Sequence, residues 1–266
     1  MKTTITAACC IIGDEILSGK TKDTNSNYLA KSLFDVGIEL KRIEVVGDDK
    51  KDIADSVRSL SSQYDIVFTS GGIGKAISCP THDDITYEAI AAAFNLTLKV
   101  DTMTHDYIQS QLSKMSPNNN SMTKHHIRMA TFPHPAILLR EKKELKIPIV
   151  VVNRNIHILP GVPRLFKILL DSLGPYLQKL STSKFYRIDI ATSQAEVAIA
   201  DALTKAQANA DGDFIKIGSY PLWGKNEDNV NVVVSVSGKN QERVQEIAAQ
   251  VLKETKGWYY NNKSQL

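Results

Sequence analysis

Two adjacent carboxylates, Asp83 and Asp84, stand a short way after a glycine cluster, Gly71-Gly72-Ile73-Gly74, that ends the apolar run Ile66-Val67-Phe68. Glycine reaches positive φ cheaply and lets backbone amides approach an anion closely, so Gly71, Gly72 and Gly74 are suited to hold phosphate oxygens. Carboxylates beside such a loop would repel the ligand. A hard divalent cation such as Mg²⁺ resolves that conflict and also polarises the phosphoryl group. A second acidic pair follows Gly13, where Asp14 and Glu15 end the apolar run 4–12. Asp14, Asp83 and Asp84 are therefore the expected metal ligands, and Glu15 or Asp23 is placed to orient a water. Another reading of the aspartates is structural: Thr81 and Asp84, three residues apart behind Pro80, form a capping-box-like pair that would put Asp83 and Asp84 in a helix's first turn.

These groups must be positioned by elements that the pattern makes plain. The runs 4–12, 66–68 and 156–159 are apolar almost throughout, as strands buried on both faces are. Residues 38–46 begin by alternating and read as a further strand. Helices are expected after each, one behind Thr24-Asn25-Ser26-Asn27 with Leu29, Leu33 and Phe34 on its apolar face, another over 51–60. Alternating strand and helix predicts an α/β fold with a doubly wound, mostly parallel sheet, whose ligands sit at the strands' carboxyl ends. Pro160-Gly161-Val162-Pro163, between the strand at 156–159 and a helix from Leu165, is another amide-rich turn able to hold an anion.

Between Thr104 and His126 the periodicity fades, and Ser116-Pro117-Asn118-Asn119-Asn120-Ser121 reads as a surface loop. His125-His126 reads as a solvated turn rather than a metal site, because Lys124 and Arg128 would compete with a cation. His157 reads as a core-edge histidine. Near Leu180 the register changes. Residues 185–190, 214–217 and 230–236 read as strands, and 193–208 and 241–252 as helices, a βαββα order that makes a second, smaller α+β domain over 181–266 after a first domain over 1–180.

The 266 residues allow two domains, and the net charge of +3, with both signs interspersed, gives no sign of nucleic-acid binding. No apolar segment reaches the roughly 20 residues of a membrane span. Cys9, Cys10 and Cys79 form no metal-ligand spacing and suit a reducing compartment, so a cytoplasmic location is expected.

Three ordered motifs resemble those of a known family: Gly13-Asp14-Glu15-Ile16-Leu17-x-Gly19 with Asp23-x-Asn25; Gly71-Gly72-Ile73-Gly74 with Pro80-Thr81-x-Asp83-Asp84-x-Thr86; and Leu159-Pro160-Gly161-Val162-Pro163. They are similar to the molybdopterin-binding (MoaB/Mog-like) domain of the competence/damage-inducible protein A family. The tail, with Ser193-Gln194-Ala195-Glu196 and Ile217-Gly218-Ser219-Tyr220-Pro221, resembles the small domain that follows in the eukaryotic branch, which includes the amino-terminal half of bifunctional FAD synthases. The resemblance implies a nucleotide or molybdopterin-like ligand such as FAD or ADP-ribose, held by Gly13, Asn25, Gly71, Gly72, Gly74, Thr81, Gly161 and Ser219. It further implies splitting of FAD into FMN and AMP with Mg²⁺, Mn²⁺ or Co²⁺, helped by K⁺, and self-association into a homo-oligomer. Adenylyl transfer to molybdopterin is the other enzymatic expectation. One departure is Lys75-Ala76-Ile77-Ser78-Cys79, which separates two motifs that are contiguous in the family. It makes a non-catalytic nucleotide-binding protein the third.

Overall fold

The computed structural model describes residues 4–73, 84–115, 122–140, 147–181, 183–212, 214–223 and 229–260. Gly74, Thr81, Asp83 and the 75–79 segment lie outside them. The chain divides into two compact units, Met1–Thr182 and Ser183–Leu266.

In the first unit the order is β1 (Thr6–Ile12), α1 (Asp14–Leu17), α2 (Asn25–Asp35), β2 (Glu39–Val46), α3 (Lys50–Gln63), β3 (Ile66–Ser70), α4 (Thr86–Ala93), β4 (Thr97–Val100), α5 (Thr102–Met115) and α6 (Lys124–Met129). Then come β5 (Thr131–His134), β6 (Ile137–Leu139), β7 (Ile149–Val152), β8 (Ile156–Leu159), α7 (Pro163–Ser172) and α8 (Gly174–Leu180). The main sheet runs β2-β1-β3-β8-β7-β6. β2, β1, β3 and β8 are parallel neighbours, and β7 and β6 extend the sheet antiparallel. Strand β1 shows why its apolar run is unbroken. Ala7, Cys9 and Ile11 pack under α2, α7 and α8 with Leu29, Leu33 and Phe166, whereas Ala8, Cys10 and Ile12 pack under α3 and α4 with Ile53, Val57 and Ile90. Successive side chains enter opposite layers, so every position must be apolar.

Several expectations change. Residues 102–115 form a helix rather than an aperiodic stretch, and β4 and β5 make a separate two-stranded ribbon. Asp14 and Glu15 open the single-turn α1 rather than a loop. His125 and His126 belong to α6, not to a solvated turn, where Thr123 and His126 form a reciprocal capping box. Helix α4 begins at Thr86 with Ile85 as N-cap, so Asp84 precedes the helix instead of sitting in its first turn. Among the described residues no helix is long and apolar enough to cross a membrane.

The core also holds His157, 1% exposed, stacked between Phe68 and Tyr176 at centroid distances of 5.4 and 5.9 Å. Its Nδ1 donates to the Asn155 carbonyl, and Nε2 is buried with no partner. Burial pushes the imidazole down from 6.5 to about 4. The unfolded chain takes up a proton near pH 6.5 and the folded chain only near 4, so stability should fall as pH drops through that window and level off below it. A shift of this size is worth about 3 kcal/mol. Urea unfolding of His157→Phe at pH 7 and pH 4.5 should show that part of the acid loss removed.

The second unit holds β9 (Tyr186–Thr192), α9 (Glu196–Asn209), β10 (Lys216–Pro221), β11 (Val232–Gly238), α10 (Gln241–Glu254) and the short β12 (Trp258–Tyr259). Its sheet, β10-β11-β9-β12, is antiparallel throughout. One face packs Val232, Val234, Val236 and Ile190 against Ile199, Ile247 and Val251 of the helices. Residues Gly218 to Pro221, expected to follow a short strand, are part of β10, which places Ser219 in mid-strand.

Candidate functional site

The carboxyl ends of β1, β3 and β8 converge on glycines. Gly71 and Gly72 follow β3 at φ +117° and +58°, and a Cβ on them would lie 1.9 Å from the Ile12 carbonyl oxygen and 2.1 Å from Thr86 Oγ1. Gly161, beyond β8, lies against Gly71, with its would-be Cβ 3.1 Å from Gly71 Cα. The backbones of three adjacent strand ends thus touch, which only glycine permits.

The start of α4 is tied to this junction. Thr86 donates its backbone N–H to Gly72 O (3.1 Å) and its hydroxyl to Gly71 O (3.0 Å), and is fully buried. These bonds fix the chain two residues after Asp84 and so deliver that carboxylate to the glycines. Asn25, at the start of α2, performs a similar clamp, donating through Nδ2 to Ser70 Oγ (2.9 Å) and to Gly161 O (2.8 Å). Its Oδ1 is buried and has no partner.

The junction floors a cleft of about 240 Å³, lined by Glu15, Thr21, Asp48, Gly71, Gly72, Asp84, Gly161 and Val162 among others. Three carboxylates and a set of main-chain amides therefore share one space. Asp84, its side chain 9% exposed, has Arg128 Nη2 of α6 at 3.7 Å. Burial, and secondarily the Asp84 charge, raises the Tyr87 hydroxyl well above its ordinary value. The Glu15 carboxylate folds back over Gly13, where a Cβ would meet Oε2 at 2.6 Å. On the cleft's far wall α7 begins with Pro163, and no side chain caps its first turn, which leaves amides available to an anion. Among the described residues neither Cys9 nor Cys10 is a candidate nucleophile: burial raises both thiols, Cys10 to about 11.

Residues 8–179 match the family described as probable molybdopterin binding domain, and residues 184–264 match the FAD synthase middle domain. The chain belongs to the molybdopterin-binding domain family. It is 34% identical over 241 residues to a protein of Caenorhabditis elegans named probable FAD synthase, covering 81% of this chain and 44% of that one. The chain thus spans under half the length of that relative. A protein of Archaeoglobus fulgidus is 30% identical over 90% of this chain and 93% of its own length. A crystal structure of the protein CinA of unknown function from Thermoplasma acidophilum, 27% identical, aligns over 66% of this chain and 99% of its own with a TM-score of 0.55.

In this family member the predicted residues fall unevenly. Glu15, Gly71, Gly72, Asp84 and Gly161 line the cleft, and Gly13 and Asn25 support it. Asp14 does not line it: its Oδ1 accepts the Asp48 N–H at 3.2 Å while its own N–H donates to Asp48 Oδ2 at 3.0 Å, joining the turns after β1 and β2. Asp23, expected near the water, caps α2 instead, accepting from Asn25 N (2.9 Å) and Ser26 N (3.1 Å). Ser219 belongs to the second unit and donates to Glu196. Four contributors were not anticipated: Thr21, Asp48, Thr86 and Arg128. Thr86 had a signal in its fixed spacing after Asp83-Asp84. Asp48 had one only through the order β2-β1-β3, which puts the turn after β2 beside that after β1.

Among the described residues no three His, Cys, Asp or Glu side chains are grouped closely enough to hold a metal by themselves. The hard oxygen donors Glu15, Asp48 and Asp84 nevertheless suit Mg²⁺ bound in its usual way, through one or two carboxylates and the oxygens of a phosphate ligand.

Proposed function

We propose that the first unit hydrolyses a dinucleotide pyrophosphate, with FAD as the substrate and FMN and AMP as products. The observation that carries this reading is the cleft where carboxylates face amides from glycine turns and a helix start. The amides of Gly71, Gly72 and the first turn of α7 hold the two phosphates. Asp84, with Glu15, would share a divalent cation with the substrate's phosphate oxygens; that cation would neutralise charge on the leaving phosphate. Glu15, its carboxylate folded over Gly13, orients the attacking water and accepts its proton as oxygen bonds to one phosphorus and the bridging P–O bond breaks. The names of the worm relatives and the FAD synthase middle domain support a flavin nucleotide over other dinucleotides.

Purified chain with FAD, K⁺ and a divalent metal should release FMN and AMP in equal amounts, read as rising flavin fluorescence and by chromatography. Absence of both products with Mg²⁺, Mn²⁺ and Co²⁺ would sink the reading. The match of residues 8–179 to a molybdopterin-binding description favours a second reading, adenylyl transfer from ATP to molybdopterin in the same cleft. It requires pyrophosphate release that depends on molybdopterin.

A further inference from the structure

Asp84 borders the cleft with its side chain 9% exposed, and the Arg128 guanidinium, 27% exposed, stands beside it with Nη2 3.7 Å from Oδ2. That distance is longer than the roughly 2.7–3.2 Å of a hydrogen bond, so the pair is held by charge alone. Groups this far out of water are screened much less than an ion pair on the surface. Both stand on fixed backbone. Thr86 ties the chain next to Asp84 to Gly71 and Gly72 through two hydrogen bonds. Arg128 belongs to α6, which Thr123 and His126 cap reciprocally at its start and which Thr131 Oγ1 closes at its end by donating to Ile127 O at 2.7 Å. The two elements also meet through Tyr87 and Phe132, packed edge to face with centroids 5.1 Å apart. The guanidinium is therefore a resident positive charge at a set distance from the carboxylate.

The other cleft carboxylates are engaged at the ends of β1 and β2. Glu15 folds over Gly13, and Asp48 accepts the Asp14 N–H at 3.0 Å. A divalent ion arriving alone at Asp84 would meet one negative charge and, close by, a guanidinium of its own sign. The attraction of the carboxylate is offset by the repulsion of the arginine. A phosphate held by the Gly71 and Gly72 amides changes the balance, because its oxygens bring both negative charge and further hard donors to the same place.

We propose that Arg128 makes cation binding at Asp84 conditional on the nucleotide: the guanidinium balances the carboxylate until a phosphate group is in the cleft, and the divalent ion and the nucleotide then bind as one unit. The inference rests on the hydrolysis reading for the place of the cation and of the phosphates, and adds to it an order of binding and a residue that enforces it. An arginine in this position keeps the acidic cleft from filling with metal when no substrate is present. It also loosens the metal once the phosphates have left.

Calorimetry of the full chain with Mn²⁺, alone and with saturating AMP, tests this without any turnover of FAD, the association of Mn²⁺ with AMP in buffer being subtracted. In the wild type AMP should tighten Mn²⁺ about tenfold, and by linkage Mn²⁺ should tighten AMP by the same factor. Arg128→Met should bind Mn²⁺ alone about tenfold more tightly than the wild type and lose most of the AMP effect, because the competing charge is gone. Arg128→Lys should behave as the wild type, since a pair without hydrogen bonds needs the charge and not the fork of the guanidinium. Arg128→Met combined with Asp84→Asn should return to weak Mn²⁺ binding, which locates the gain at that carboxylate. Thermal melts check that each variant folds, and Arg128→Gln takes the place of Arg128→Met if the latter does not. A purely structural tie between α6 and α4 predicts the opposite sign: a folded Arg128→Met that binds Mn²⁺ no more tightly than the wild type overturns the proposal. So does a wild-type Mn²⁺ affinity that AMP leaves unchanged. If Mn²⁺ and AMP are coupled through Arg128 but FAD is not split, the hydrolysis reading fails and this one stands; if FAD is split and Mn²⁺ is indifferent to AMP, the reverse holds.

Discussion

Asp84→Asn is expected to lower FAD splitting by about a hundredfold to a thousandfold while the protein stays folded. The substitution is nearly isosteric and removes the carboxylate that, among the described residues lining the cleft, is both largely buried and fixed by its chain neighbours. The tether is specific: Thr86 bonds Gly71 and Gly72, so Asp84 cannot drift without breaking two hydrogen bonds to the phosphate-holding turn. An amide in the same place keeps a polar contact but loses the charge that would attract a cation and balance Arg128 at 3.7 Å. Loss should appear in kcat at saturating metal rather than in KM for FAD alone, since the amides that grip the phosphates are untouched. Asp14→Asn supplies the contrast. Its carboxylate accepts the Asp48 N–H outside the cleft, and the amide oxygen can accept the same bond, so activity should stay within a few-fold. Rates for both variants, with circular dichroism as the folding control, decide between them. A fall for Asp14→Asn as deep as for Asp84→Asn would move the chemistry to the turns after β1 and β2.

How much of this was legible in the sequence depends on where the signal was stored. The central strands could be read because both faces are buried, as in β1 and in β3 with every residue buried. Helix α5 could not, because its run TMTHDYIQSQLSKM offers few apolar residues, and among its described side chains Ile108 is the one hydrophobic group in the core. Strand β4 lacked a pattern because all four of its residues are exposed. The glycine turns and Asp84 were found from residue type alone. The start of α4 was misplaced because Thr81 and Asp84 imitate a capping pair, whereas its position is set by tertiary bonds from Thr86 to the glycine turn. Asp23 was misassigned for a related reason: a carboxylate two and three residues before open helical N–H groups is drawn to them before it can serve a cleft. Asp48 and Arg128 reach the site from a neighbouring turn and a later helix. No local pattern around either residue encodes that proximity.

Gly71→Ala should be the most damaging single methyl group in the chain. Two costs fall on it together. The backbone φ of +117° is outside the range an alanine adopts without strain, and the added carbon would stand 1.9 Å from the Ile12 carbonyl oxygen. That oxygen is backbone at the end of β1, which is bonded on both sides to β2 and β3, so it cannot yield as a side-chain tip would. Strain and clash together should exceed about 3 kcal/mol, a large share of a typical folding stability of about 5–15 kcal/mol. A graded series separates the two costs. Gly19→Ala, at φ +73° with nothing within 4 Å, carries the backbone term alone and should cost about 1 kcal/mol. Gly161→Ala meets Gly71 Cα at 3.1 Å without a positive φ and should fall between, with its loss concentrated in nucleotide affinity because the phosphate turn is pushed outward. Gly174→Ala, with open space and an ordinary φ, should be within about 0.5 kcal/mol of the wild type. Denaturant midpoints for the four variants should rank Gly71 lowest, then Gly161, Gly19 and Gly174. If Gly71→Ala melts with Gly174→Ala, the strand ends do not make the close junction on which the cleft is built, and the amides assigned to the phosphates have no fixed place.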